Sequence, residues 1–313
     1  MSFGFVFPGQ GSQSVGMLGD LASQSSVRTT FAEASSVLSY DLELLVASGP
    51  EDRLNTTEYT QPALLTAGVA AFRLWRERGG EDPQVVSGHS LGEFTALVCA
   101  GTFDFAAAVD LVRHRGQLMQ QAVPAGSGGM AAILGLEDAQ VAEACKEASS
   151  AGVVEAVNFN APGQVVIAGE TSAVQKAIEA AKALGAKRAL ALPVSVPSHS
   201  SLMRSAAERF GEKLATVDIN APRIAYVSAV DAKRHEDTED IRSLLLKQLA
   251  SPVRWVDTVR ALAATGIAQL IECGPGKVLT GLSKRIDRGG TLQFLSLDDA
   301  ASLDAALSAT KKG

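Results

Sequence analysis

Ser90 lies between two glycines in the run Gly88-His89-Ser90-Leu91-Gly92, which is the spacing of a nucleophile elbow. The residues before it, Val85-Val86-Ser87, predict a short strand, and Glu93 to Ala100 predicts the start of a helix. A serine on such a turn exposes its hydroxyl, and backbone N–H groups there point at the oxygen of a bound carbonyl. Ser90 is therefore a candidate nucleophile, although the same pattern also occurs in turns without chemistry.

An arginine lies on the apolar side of the helix that is predicted to begin after Asp104. Arg115 follows Leu111 by four residues and precedes Met119 by four, so helical spacing places it on the buried stripe. By contrast, Arg113 falls on a polar face. An unpaired buried charge costs on the order of several kcal/mol, so Arg115 needs an anion. A structural ion pair and an anionic ligand both remain open.

A serine nucleophile needs a base, and four histidines are available. His199 has the most suitable setting, because it follows a predicted strand in a polar loop and is free to converge on the elbow. His89 adjoins the serine and should point away from its hydroxyl. His114 lies at the edge of a predicted helix, and His235 lies in a charged stretch.

A second candidate ligand site is the loop Pro8-Gly9-Gln10-Gly11-Ser12-Gln13, which follows the apolar run Phe3 to Phe7. Its glycines allow the backbone to approach a ligand closely, and its glutamines can donate hydrogen bonds. An ordinary turn is the alternative. The loop is not a phosphate loop, because it lacks a lysine followed by serine or threonine. Gly274-Pro275-Gly276-Lys277 fails the same test, since Val278 follows the lysine.

The elements that carry these residues predict an α/β fold in two parts. Strands in the outer parts of the chain are apolar throughout, which is typical of a mostly parallel sheet covered on both faces. Between them, shorter elements follow the order β-α-β-β-α-β of a ferredoxin-like unit, with a hairpin loop predicted over Asn158 to Gly163. We predict a hydrolase-like large domain over residues 1–126 and 196–313, with an inserted ferredoxin-like subdomain over residues 127–195.

Composition narrows the function class. The chain has 313 residues, 46% hydrophobic and 20% charged, as expected for a globular enzyme. Its net charge of −6 argues against a nucleic-acid partner. No signal peptide or membrane-spanning stretch is evident, so the cytoplasm is the expected location. The three cysteines are widely spaced and have apolar neighbours, and they are Cys99, Cys145 and Cys273. This pattern predicts buried, reduced thiols, and it fits neither a disulfide framework nor a zinc site.

Taken together, the motifs show a family resemblance over nearly the whole chain. The sequence resembles malonyl-CoA:acyl carrier protein transacylases of type II fatty acid synthesis. The resemblance is carried by the motifs Phe7 to Gln13, Gly88 to Glu93, Arg115-Gly116, Asn158 to Gln164, Pro197-Ser198-His199, Gln248 before Pro252-Val253, and Glu272 to Leu282.

The resemblance implies a role for each matching residue. Ser90 would be acylated by malonyl-CoA and would pass the malonyl group to the phosphopantetheine thiol of acyl carrier protein in a ping-pong reaction. His199 would be the base, and Arg115 would bind the malonyl carboxylate. The backbone N–H groups of Gln10 and Leu91 would stabilise the oxyanion. Gln248 would lie near the histidine, which this family orients by a backbone carbonyl. No cofactor is implied.

Other readings stay open at this point. A serine hydrolase would use the same elbow with water as acceptor, although the inserted unit and the buried arginine argue against it. An inactive carrier-binding protein is a second alternative. The sequence does not distinguish malonyl from methylmalonyl, or a fatty acid carrier from a polyketide carrier. A basic cluster is a candidate docking patch for an acidic carrier or an ordinary solvated helix face, and it consists of Lys284, Arg285 and Arg288.

Overall fold

The computed structural model describes residues 1–194, 196–290 and 292–311, and the strands of these residues form two separate sheets. The strands are β1 (Phe3–Phe7), β2 (Val85–Gly88), β3 (Gly128–Leu134), β4 (Val154–Ala161), β5 (Gln164–Glu170), β6 (Arg188–Ala191), β7 (Ala225–Val227), β8 (Arg234–His235), β9 (Gln269–Glu272) and β10 (Gln293–Ser296).

Helices surround and connect these strands. They are α1 (Ser25–Leu38), α2 (Leu42–Ser48), α3 (Glu51–Leu54), α4 (Thr57–Glu77), α5 (Gly92–Cys99), α6 (Phe105–Gln121), α7 (Asp138–Ala148), α8 (Thr171–Ala183), α9 (Arg204–Leu214), α10 (Thr238–Gln248), α11 (Trp255–Ala264), α12 (Val278–Ile286) and α13 (Ala300–Thr310). In the described part of the chain, no helix is long and apolar enough to cross a membrane.

The larger sheet has the strand order β10-β9-β1-β2-β7-β8, and only the β7–β8 pair is antiparallel. Side chains alternate between two cores along β1, since successive residues of a strand point to opposite faces. Phe3, Phe5 and Phe7 face one core, where the ring of Phe5 lies 5.3 Å from that of Trp75. Val6 faces the other core. The predicted mostly parallel sheet with two covered faces is confirmed.

The smaller sheet is antiparallel, with the strand order β4-β5-β3-β6. Its elements follow one another as β3-α7-β4-β5-α8-β6, which is the predicted order. Both helices pack on one face, where Ile133, Val141 and Ile178 share a core. The opposite face carries a smaller apolar cluster that includes Met130 and Val166. This second face is turned toward the candidate site.

One predicted loop is wrong. Asn158 to Ala161 continue strand β4, and only Pro162 and Gly163 form the turn to β5. Pairing with β5 continues to Ala161 and Gln164, and the other edge of β4 is also bonded. There the N–H of Phe159 donates to the carbonyl of Val253 at 3.0 Å, and the Val253 N–H donates to Val157 at 2.8 Å. A strand edge that pairs with a distant segment leaves no local signal in the sequence.

The larger sheet brings the two candidate loops together. Phe7 is paired with Gly88 at the carboxyl ends of β1 and β2, so the loops that follow these strands are neighbours. The backbones are in close contact there. A Cβ on Gly92 would lie 2.0 Å from the carbonyl oxygen of Phe7, and a Cβ on Gly88 would lie 1.9 Å from the Gly92 backbone. Both glycines of the elbow are therefore required by packing.

We predict that Gly92→Ala lowers the free energy of unfolding by about 1–3 kcal/mol, because the new methyl group overpacks the backbone of β1. The matched control is Gly281→Ala in α12, where a Cβ meets nothing within 4 Å. Alanine there should leave stability unchanged or raise it by up to about 1 kcal/mol. Urea unfolding of both variants measures the difference, and equal values for the two would contradict the close packing.

Candidate active site

Ser90 and His199 meet in the geometry of a nucleophile and its base. Ser90 occupies the turn between β2 and α5 with a φ of 53°, a left-handed conformation that is uncommon for a residue with a side chain. Its Oγ lies 2.7 Å from His199 Nε2. The other ring nitrogen, Nδ1, lies 2.8 Å from the backbone carbonyl oxygen of Gln248. A carbonyl only accepts, so Nδ1 carries the proton and Nε2 is free to accept from the serine hydroxyl.

Burial keeps the His199 ring neutral. Burial, and after it the nearby positive charge of Arg115, together lower the pKa of His199 to about 3. A neutral imidazole that already accepts from the serine hydroxyl can take its proton during attack. The imidazole that the sequence predicts as the base therefore accepts from the serine hydroxyl, with a backbone carbonyl in the position where many serine enzymes have a carboxylate.

The loop that carries His199 is held from two sides. The His199 N–H donates to the carbonyl of Leu249 at 3.1 Å, next to the end of α10. The N–H of Ser201 donates to Glu155 Oε2 on β4 at 2.6 Å. These bonds hold His199 at a φ of 67°, again in the left-handed region. Such a conformation persists where its surroundings determine it, and here the surroundings are the end of helix α10 and strand β4 of the smaller sheet.

Arg115 is buried beside the nucleophile and is paired with amides. Its side chain donates from one Nη to Gln61 Oε1 at 2.9 Å and from the other to Gln248 Oε1 at 2.8 Å. The second Nη also lies 3.4 Å from Ser90 Oγ. Burial lowers the pKa of Arg115 to about 10, which still leaves it charged at neutral pH.

No carboxylate forms an ion pair with Arg115 among residues 1–194, 196–290 and 292–311. Of the two interpretations left open by the sequence, the structural ion pair is therefore not the one realised in the described chain. The predicted polar face is confirmed for Arg113, whose guanidinium lies 2.7 Å from Asp110. A buried cation that contacts only neutral acceptors is well suited to an anionic ligand.

Gln248 connects the residues of the site. Its side-chain nitrogen donates to the backbone carbonyl of Ser90 at 3.0 Å and to Glu93 Oε2 at 2.5 Å, while its side-chain oxygen faces Arg115. Sequence reasoning gave Glu93 and Gln61 no role. Both are fully buried polar residues in helices with many apolar neighbours, which is the signal that could have identified them.

Gln10 and Leu91 lie beside the nucleophile, where the resemblance places them. Both line the same cavity as Ser90, and Leu91 immediately precedes helix α5. The positive end of that helix dipole therefore points toward the serine. The side-chain nitrogen of Gln10 lies 3.4 Å from Thr57 Oγ1. The role of these two N–H groups as oxyanion donors stays a prediction.

The site opens into a cavity of about 410 Å³ between the two sheets. Ser90, His199 and Arg115 line it on the side of the larger sheet. Met130 and Val166 line it from the free face of the smaller sheet. The cavity is large enough for a short acyl group together with part of the thiol-bearing arm that carries it.

The remaining candidate residues have no hydrogen bond to Ser90, His199 or Arg115 among the described residues, although His89 lines the same cavity. His89 Nε2 contacts Asn160 Oδ1 at 2.8 Å, and His235 Nε2 contacts an Asp231 oxygen at 3.0 Å. All three cysteines are buried and free, as predicted. Within the basic cluster, Arg285 donates to Gln164 and to the Pro162 carbonyl, so its guanidinium is partly occupied. The other two members of that cluster are exposed, and they are Lys284 and Arg288.

Comparison with known proteins gives consistent matches over most of the chain. Residues 4–288 match the model of the acyl transferase domain family. The malonyl CoA-acyl carrier protein transacylase of Escherichia coli strain K12 is 55% identical over 306 residues, which are 97% of this chain and 98% of that protein.

Solved structures match as well. The acyl-carrier-protein S-malonyltransferase of Burkholderia pseudomallei 1710b superimposes with a TM-score of 0.96 at 56% identity, covering 98% of this chain and all of that one. A malonyl-transacylase solved in complex with a type II PKS acyl-carrier protein superimposes with a TM-score of 0.97 at 52% identity, covering 99% of this chain and 100% of the matched chain.

The state of His199 predicts how the reactivity of Ser90 depends on pH. A base works in its neutral form, and the lowered pKa keeps His199 neutral well below the usual histidine range. Modification of Ser90 by a fluorophosphonate should therefore keep a constant rate from pH 8 to pH 5. A histidine with an ordinary pKa would lose more than about tenfold over that interval.

Intact-mass spectrometry over time measures this rate, and His199→Ala provides the reference. That variant should react about 10²–10⁴ times more slowly at every pH. A rate that falls by half near pH 6.5 would show that the base is an ordinary, hydrated imidazole.

Proposed function

We propose a specific transfer for this chain, which belongs to the family of malonyl CoA-acyl carrier protein transacylases: it moves a malonyl group from malonyl-CoA to the phosphopantetheine thiol of an acyl carrier protein. One observation carries the substrate assignment. The buried guanidinium of Arg115 lies 3.4 Å from Ser90 Oγ and contacts amide acceptors. A thioester whose acyl group ends in a carboxylate supplies the missing anion beside the reactive carbonyl.

The first half of the reaction forms an acyl-enzyme. Ser90 Oγ attacks the thioester carbonyl while His199 Nε2 accepts the hydroxyl proton across their 2.7 Å contact. The C–S bond then breaks, and the imidazolium returns the proton to the departing CoA sulfur. Malonyl-Ser90 and free CoA are the products of this step.

The second half runs the same chemistry with the carrier thiol. His199 takes the proton of the phosphopantetheine thiol, and the sulfur attacks the malonyl-Ser90 ester. The bond to Ser90 Oγ breaks, and the proton returns to the serine. Because CoA leaves before the carrier reacts, the kinetics should be ping-pong. Every proton moves through His199, so these steps need no cofactor or metal.

Negative charge develops on the carbonyl oxygen in both halves. We assign its stabilisation to the backbone N–H groups of Gln10 and Leu91, at the ends of the neighbouring strands β1 and β2. Their position is supported by the pairing of Phe7 with Gly88, which brings the two loops to one edge of the sheet. Loss of one such donor typically costs a hundred- to a thousandfold in rate, on the order of 3 kcal/mol.

Arg115 would select malonyl over acetyl. A carboxylate on the acyl group pairs with the guanidinium, whereas an acetyl group leaves it without an anion. Gln248 supports both partners, since its backbone carbonyl orients His199 and its side-chain oxygen accepts from Arg115. The backbone contact keeps the base oriented without placing a second carboxylate in the cavity.

We assign the two sheets to a hydrolase-like large domain, residues 1–126 and 196–313, and an inserted ferredoxin-like subdomain, residues 127–195. The strand order β4-β5-β3-β6 and the β-α-β-β-α-β sequence of elements support the second assignment.

The carrier would approach the mouth of the cavity between the sheets, as an acidic partner of a basic surface. Lys284 and Arg288 do not line this cavity, but both are exposed and would be candidate contacts for an acidic carrier. The cytoplasmic location stays a prediction.

Ser90 should become covalently malonylated by malonyl-CoA, adding one malonyl group to the intact mass. Addition of holo acyl carrier protein should then transfer that mass to the carrier. Ser90→Ala should show neither signal, because it lacks the attacking oxygen. Rapid release of malonate without carrier protein would instead identify a serine hydrolase, and labelling that persists in Ser90→Ala would place the nucleophile elsewhere.

Arg115→Ala should lower malonyl transfer by at least about a hundredfold, because a charged hydrogen bond to the acyl carboxylate is lost. Acetyl transfer should be spared or increased. Arg113→Ala is the matched control on the same helix, where the side chain pairs with Asp110 instead of facing the cavity. Values of kcat/KM with malonyl-CoA and acetyl-CoA measure the change. An equal fall with both substrates would rule out a carboxylate-binding role.

A further inference from the structure

We infer that Glu93 is a positioning residue for diacid selectivity: its carboxylate fixes the orientation of the Gln248 side-chain amide, and that amide holds the Arg115 guanidinium against the nucleophile. The inference rests on the proposed function of the site. Glu93 is 1% exposed on helix α5, and it contacts no reacting atom.

Glu93 accepts hydrogen bonds on both oxygens. Oε1 accepts from the hydroxyl of Tyr226 in β7 at 2.5 Å and from the N–H of Ala229, two residues after β7, at 2.9 Å. Oε2 accepts from the Gln248 side-chain nitrogen at 2.5 Å. Burial raises the pKa of Glu93, while these donors oppose that rise by favouring the carboxylate.

The carboxylate makes one orientation of the Gln248 amide much better than the other. In the observed orientation the nitrogen donates to Glu93 and to the Ser90 carbonyl, and the oxygen accepts from Arg115. Rotation of the amide by 180° would place its oxygen against two acceptors and its N–H groups against the guanidinium. Every contact would then be repulsive.

An amide at position 93 cannot reproduce this arrangement. Ala229 presents an N–H that only donates, so glutamine there must turn its single oxygen toward Ala229 to satisfy that group. Its nitrogen then faces the nitrogen of Gln248, and two donors meet. Either the Gln248 amide rotates away from Arg115 or a buried N–H is left without an acceptor.

A second role for Glu93 would give the opposite result. As a simple countercharge, Glu93 reduces the positive potential around Arg115, and its negative charge does favour the charged form of the arginine. Neutralising Glu93 would then strengthen the attraction of the site for a malonyl carboxylate. Positioning instead predicts weaker malonyl selectivity, so the sign of the change distinguishes the two roles.

The experiment measures the ratio of malonyl to acetyl labelling of Ser90 in a single turnover, for wild type, Glu93→Gln and Glu93→Asp. We expect the ratio to fall by about tenfold or more in Glu93→Gln, in line with loss of a hydrogen bond to a charged group. Glu93→Asp keeps the charge but is one methylene shorter, so it cannot reach Gln248 while it contacts β7. Its ratio should fall too, whereas a countercharge alone would preserve it.

Ser87→Ala is the control for general destabilisation. It removes the buried hydrogen bond from the Ser87 hydroxyl in β2 to the Val227 carbonyl in β7, the strand that Glu93 also contacts. It should leave the ratio unchanged. Because each ratio compares two substrates on one sample, a reduced folded fraction cancels. An unchanged or increased ratio in Glu93→Gln overturns this inference but leaves the proposed function standing. A wild-type enzyme that is not labelled by malonyl-CoA overturns the proposed function and the inference with it.

Discussion

The buried charge of Arg115 is the constraint on which the rest of the site depends. A guanidinium in the interior loses its hydration and is tolerated only where its surroundings replace it. Here the replacement comes from two amide oxygens, from the Phe94 ring, whose centroid lies 5.4 Å from the guanidinium carbon, and from the charge of Glu93 beyond Gln248. The groups in contact with the guanidinium are uncharged, so they stabilise the cation without forming an ion pair with it. The arginine thus keeps its capacity to bind an external anion.

The same charge explains the unusual surroundings of the base. Burial, and after it the charge of Arg115, lower the pKa of His199 and so favour the neutral ring, which is the form that accepts a proton. A carboxylate behind the imidazole would raise the histidine pKa, and in this small cavity it would also compete for the arginine. The backbone carbonyl of Gln248 orients the ring without either effect. The proposed roles of His199 as a base and of Arg115 in anion selectivity are therefore compatible, because the group that orients the imidazole is uncharged.

Local patterns were sufficient to predict much of this arrangement. The elbow around Ser90, the burial of Arg115 and the order of elements in the smaller sheet each arise from residues close in sequence, whose periodicity or turn chemistry leaves a direct signal. The loop setting of His199 indicated a base, but its distance from the serine came from the fold. Gln61 and Glu93 received no role: their apolar neighbours indicate burial, but the partners that give them a role are distant in the sequence.

The contacts that join the smaller sheet to the rest of the molecule could not be predicted from the sequence, because their partners are far apart in the chain. His199 belongs to the connection that leaves the smaller sheet, and its loop is fixed by Glu155 on β4 as well as by Leu249 after α10. The edge of β4 is in turn paired with Val253, just beyond the same helix. A shift of one sheet against the other would therefore change the distance between base and nucleophile. The hydrogen bonds between β4 and Val253 thus help to set the distance between Ser90 and His199, although none of them involves either residue.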